Sequence, residues 1–118
     1  RAMQDMNYVK VEQRFASCVN VHVVKAKSLD GIKLFVRDYV NIFYLDTVHT
    51  KAVLYPEMVA CWNLLPPEGI LSGHDFREHD PQRPDIQVKE TVLEFCQEFK
   101  VQLSRQQGIN WEILKPRT

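Results

Sequence analysis

Apolar residues follow two rhythms along this chain, and their alternation predicts most of its architecture. Two short unbroken runs, at 42–45 and 70–71, each end within a few residues at an acid and a histidine, with about one helix's length between them. That arrangement predicts a βαβ unit with parallel strands at 42–46 and 70–74. Such strands are buried on both faces, and the polar residues at their carboxyl ends look into the ligand crevice. Asp46 and His49 would follow the first strand, and His74 and Asp75 would finish the second.

The helical rhythm appears on either side. Residues 1–18 place Met3, Met6, Val9 or Val11 and Phe15 at loosely helical intervals, which predicts an amphipathic helix. Val19 to Ala26 is rich in β-branched residues and too short for a helix, so it reads as a strand. Ser28 offers an N-cap oxygen to a helix whose apolar face is Ile32, Phe35, Val36 and Tyr39. Pro56 is harmless only in a first helical turn, so the main helix is expected to begin near Tyr55–Pro56. It would run through Met58, Val59, Trp62 and Leu65 to a stop at Pro66-Pro67.

Residues 77–85 carry two prolines and six ionisable groups with no apolar side chain, a surface loop placed to act as a lid. A regular helix follows over 86–100, with Val88, Val92, Phe95, Cys96 and Phe99 on one face. The end of the chain splits at Gln107-Gly108 into two strand-like pieces, an antiparallel hairpin at the edge of an otherwise parallel sheet.

Composition narrows the function classes. The 118 residues suit one domain, able to bury roughly two thirds of its unfolded surface without disulfide or metal. Fifteen basic and fifteen acidic side chains cancel, with no long run of one sign. A nucleic-acid footprint or a polybasic membrane patch is not expected. Cys18, Cys61 and Cys96 are odd in number and far apart, which fits buried thiols in a reducing compartment. There is no apolar stretch of membrane-spanning length and no signal peptide at the start, so a soluble, cytoplasmic protein is expected. The first residue is arginine rather than methionine, and the natural chain is expected to continue upstream.

Four stretches together carry a resemblance: Tyr44-Leu45-Asp46 with His49-Thr50; Trp62 with Leu65-Pro-Pro-Glu-Gly69-Ile-Leu-Ser-Gly-His74-Asp75-Phe76; Val88 to Phe95; and Trp111 to Lys115. Their order and spacing over about residues 19–115 resemble the C-terminal half of class I S-adenosylmethionine-dependent methyltransferases, in the small-molecule branch. The resemblance implies a partial Rossmann-like α/β sheet, mostly parallel, with a C-terminal antiparallel hairpin and helices on both faces. It implies S-adenosylmethionine as cofactor, touched by Ser28, Asp46 and His49, and a small-molecule substrate. In related catechol-type enzymes acids at the places of Asp46 and Asp75 hold magnesium, so Mg2+ is a second implied cofactor.

The chain departs from that family in two ways. Pro67-Glu68-Gly69 stands where Pro-Gly-Gly is usual. The family's first two strands and the glycine-rich loop between strand and helix are missing, because Gly31, Gly69, Gly73 and Gly108 are scattered. The cofactor site would be half built, and a homodimer or an upstream segment would complete the sheet.

Histidine at either strand end could take a proton from a hydroxyl nucleophile, and His74 with Asp75 is the expected catalytic pair. Asp46, His74 and Asp75 occupy the places that hold magnesium in the related catechol-type enzymes. Imidazole suits zinc or iron better than magnesium, which prefers oxygen, so the resemblance implies Asp46 and Asp75 as the metal ligands. His22 reads as a strand-face residue, His79 as a solvated loop residue, and Trp62 and Trp111 as core. The sequence shows no serine elbow, C-x-x-C or H-E-x-x-H, which leaves hydrolase, redox and zinc-protease readings without support. The expected function is the C-terminal part of a small-molecule O-methyltransferase. The alternative is a non-catalytic module that pairs its open sheet edge with another chain.

Overall fold

The two apolar runs do pair in parallel. The computed structural model describes residues 2–117, with side chains from Met6 onward, so Met3 lies outside the described side chains. Strands β1 (Ile42–Leu45) and β2 (Ile70–Gly73) lie side by side, with Ile42 opposite Ile70 and Leu45 opposite Gly73. Helix α3 (Lys51–Leu64) joins them, and α4 (Val88–Phe99) leads on to the hairpin of β3 (Arg105–Gln107) and β4 (Asn110–Leu114). Strand β4 runs antiparallel beside β2, giving one mixed four-stranded sheet in the order β1-β2-β4-β3. The expected C-terminal hairpin is present, and Gly108 takes the left-handed conformation its turn requires.

The core lies between the sheet and the α3–α4 pair. Leu45, Leu71, Trp111 and Ile113 from the strands meet Leu54, Met58, Trp62, Val92 and Phe95 from the helices. Trp62 packs edge-on against Phe95, which stacks on Phe99. Both tryptophans are core residues, as their spacing predicts. Gly73 is required here, because a Cβ would lie 2.6 Å from the Leu45 carbonyl and 2.6 Å from the Trp111 ring. Lys115 closes the far end of α3. Its ammonium donates to the carbonyls of Trp62 and Leu65, 2.7 Å each, at a helix terminus that favours positive charge.

Several expectations need correction. The sheet is covered on one face rather than two. Along β1 burial alternates, and Ile42, Tyr44 and, in β4, Leu114 remain 60%, 54% and 49% exposed on the side opposite the core. The stretch 19–26 is not a strand: it has no regular structure, and Val19 is 93% exposed. A strand is held by its neighbour's backbone groups, and β1 ends the sheet without pairing to this segment.

The helix expected to carry Ile32 through Tyr39 stops early. Helix α2 (Ser28–Ile32) gives way to turns, and only Ile32 of that face is buried. Ser28 is its first residue rather than its cap, which is Lys27. Helix α3 begins at Lys51, earlier than Pro56 suggested, because the Thr50 carbonyl already accepts from Val53 and Leu54. Pro56 sits on the exposed side and costs only the bond its missing N–H would have made to Ala52. The first helix is confirmed as α1 (Ala2–Phe15), but Met6, Val9, Val11 and Phe15 stay exposed.

Candidate functional site at the carboxyl ends of the parallel strands

Register alone brings the expected residues together. Because Leu45 pairs with Gly73, the next residues, Asp46 and His74, leave the sheet side by side, and the His74 N–H donates to the Leu45 carbonyl at 3.1 Å. The chain then turns sharply at Asp75, which adopts a left-handed conformation at φ 63°. For a residue with a side chain this costs on the order of 1 kcal/mol, and aspartate is among the types that tolerate it best. The turn folds the carboxyl group inward, leaving Asp75 only 9% exposed.

Three donors converge on that carboxylate. His49 Nε2 lies 2.5 Å from Oδ2, while His74 Nδ1 and Arg77 Nη2 lie 3.3 Å and 3.1 Å from Oδ1. Burial by itself raises the carboxyl's pKa. The hydrogen bonds and charges of His74 and His49 outweigh it, and the net position is below the usual aspartate value. His49 is held at the start of α3 from the opposite side, because its carbonyl accepts from Gln87 N–H at 2.9 Å. Gln87 in turn accepts from the Lys51 N–H at 2.9 Å, so the α4 start braces the α3 start.

Asp46 completes the group, with its Oδ1 3.8 Å from His74 Nδ1. One ligand atom each from Asp46, His74 and Asp75 lie within 4.8 Å of one another, a donor set of two carboxylates and an imidazole. Such a set fits a divalent transition metal, and its two carboxylates alone suit magnesium. With Nδ1 turned to Asp75, His74 leaves Nε2 for a ligand or a proton. Asp46, His49, His74 and Asp75 therefore share one corner.

Ser28 does not join them directly. Its hydroxyl donates to Glu57, and it lines a groove of about 360 Å³ beside β1 with Val24, Leu34, Phe35 and Phe43. Glu57, Arg77 and Gln87 were not singled out from sequence. Glu57 carried a readable signal: with Leu54, Met58 and Cys61 it falls at i+3, i+4 and i+7 spacing, a carboxylate on a buried helical face. Arg77 carried none, since a polar residue in a polar loop has no periodicity to violate, and Gln87, at the start of the helix expected over 86–100, lies off its apolar face. His22 and His79 are exposed, and neither joins this carboxylate cluster.

The fold and the corner define an α/β domain with a mixed four-stranded sheet and polar residues gathered where two parallel strands end. No family model matches the chain, and no solved structure matches it significantly. Over 69 residues it is 33% identical to the seed linoleate 9S-lipoxygenase-3 of Glycine max, a match covering 57% of this chain. The chain spans 7% of the length of that curated relative. No helix among the described residues is long and apolar enough to cross a membrane.

Proposed function

We propose that this chain is the C-terminal, substrate-side part of a small-molecule methyltransferase domain of the S-adenosylmethionine-dependent class, acting on a hydroxyl oxygen. The observation that carries the reading is the meeting of Asp46, His49, His74 and Asp75 where two adjacent parallel strands end, in a sheet closed by an antiparallel hairpin. Ligands of open α/β sheets bind in that crevice.

His74 is the general base of this reading. Asp75 holds its Nδ1, and Nε2 is left to take the proton of an acceptor hydroxyl. Asp46 and Asp75 would hold a divalent cation, which lowers the pKa of a bound hydroxyl and orients it. The described residues do not by themselves fit S-adenosylmethionine: the glycines are scattered and none opens a helix after a strand. Another segment must supply that half of the pocket, so no transfer step is assigned to these residues.

The test is amide chemical-shift perturbation by S-adenosylmethionine. We expect saturable shifts confined to residues 44–49 and 73–77, with a Kd of roughly 1 mM or weaker. Micromolar affinity, or shifts elsewhere on the molecule, would contradict the reading.

The open edge of β1 favours a second reading, a non-catalytic module that completes its sheet with another chain. The strand Ile42-Phe43-Tyr44-Leu45 has no charge or proline, the devices that normally guard an edge. Strand β3 at the other edge is Arg105-Gln106-Gln107, short and polar. Light scattering after size exclusion separates the two readings, since a monomer at high concentration argues against the module.

A further inference from the structure

Glu57 is fully buried, at 0% exposure, in the second turn of α3. A carboxylate removed from water is costly unless its oxygens are satisfied. Here no basic side chain pairs with it among the described residues, and two hydroxyls do the work instead. Ser28 donates to Oε2, and Thr47 donates to Oε1 at 2.6 Å. The same burial, with Glu57 beside it, pushes the Cys61 thiol up to about 12 and keeps it a thiol.

An apolar side chain would fill this place in the core at lower cost. The carboxylate therefore does something a leucine could not. Its two partners differ in where they sit. Ser28 belongs to the start of α2, which carries no member of the site. Thr47 belongs to the turn after β1, between Asp46 and His49, and is otherwise exposed. That turn must hold its shape for His49 to reach Asp75 at 2.5 Å.

We propose that Glu57 is a positioning residue: a buried carboxylate that, through Thr47, fixes the Asp46–His49 turn and so sets His49 against Asp75. The inference rests on reading that corner as the functional site, but its test needs neither metal nor cofactor. A short imidazole-to-carboxylate hydrogen bond protects its proton from exchange and moves it far downfield in proton NMR. The full chain should show this His49 resonance, assigned by its loss in His49→Gln.

Thr47→Val should broaden or abolish the resonance. Ser28→Ala removes a hydroxyl from the same carboxylate and should leave the resonance in place. Glu57→Leu should abolish it, whereas Glu57→Gln, which can keep both hydroxyl contacts by reversing one, should retain it. Thermal melts accompany each variant, and Thr47→Val and Ser28→Ala should lose similar stability, so that folding alone cannot produce the asymmetry. Equal NMR responses in Thr47→Val and Ser28→Ala, or no downfield resonance in the parent chain, would overturn the proposal. Micromolar affinity for S-adenosylmethionine would instead overturn the functional reading and leave these signals as they are.

Discussion

Before β1, Ile32 alone is buried among the described apolar side chains, while Met6, Val19, Val24, Leu34, Val36 and Tyr39 stand in solvent. From β1 onward the balance reverses, and Leu45, Leu71, Phe95, Trp111 and Ile113 form a continuous core with α3 and α4. The two regions do not differ in composition so much as in neighbours. Val19 to Ala26 is as β-branched as any stretch in the chain and forms no strand, whereas Ile42 to Leu45 forms one because β2 lies beside it. Propensity proposes an element, and a partner decides it.

The largest expected effects come from testing that contrast directly. Trp111→Ala or Phe95→Ala should cost about 3–5 kcal/mol in chemical denaturation, from lost burial and the cavity left behind. Val24→Ala or Leu34→Ala should stay within about 0.5 kcal/mol. Comparable losses in the two groups would show that the first forty residues are packed after all. Next in size is Gly73→Ala. A methyl group there meets a backbone carbonyl and an indole that cannot both move, and about 2–3 kcal/mol should be lost.

Asp75→Asn sharpens the comparison at the site itself. Asparagine also tolerates a left-handed backbone, so the substitution removes the charge without forcing the turn open. It should cost about 1–2 kcal/mol near neutral pH, the worth of charge-assisted hydrogen bonds. The sign with pH follows from the depressed carboxyl. A folded-state pKa below the unfolded one contributes stability that is complete above the usual carboxylate pKa of about 3.9 and lost as pH falls through the folded value. The gap in denaturation midpoint between parent and Asp75→Asn should therefore narrow on acidification below about pH 4. A gap that widened there would mean the carboxyl is held neutral in the folded state.

The smallest stability effect is expected at the open edge. Ile42→Lys should change stability by no more than about 0.5 kcal/mol, and any concentration-dependent self-association should disappear. A large loss of stability would show that the exposed face of β1 is covered within the chain.

What was legible in the sequence follows the same division. The βαβ unit, the α4 face of Val88, Val92, Phe95 and Cys96, and the hairpin at Gly108 could be read because local pattern and tertiary partner agree there. Asp46, His49, His74 and Asp75 were legible as a group because strand ends in a parallel unit converge. Ser28 stands apart from that group, since its hydroxyl turns to Glu57, a partner 29 residues away that no local rule indicates. The one-sided covering of the sheet was equally hidden. Alternation within β1 is too short, at four residues, to separate a half-exposed strand from a buried one.

Asp46, His74 and Asp75 as one ligand-binding corner is the claim on which the rest depends, and titration with Mn2+ monitored by amide line broadening tests it most directly. Broadening should begin at residues 45–50 and 73–77 at substoichiometric Mn2+ and should be lost in Asp75→Asn. Broadening that instead centred on Glu90, Glu94 and Glu98 of α4, or persisted unchanged in Asp75→Asn, would contradict it.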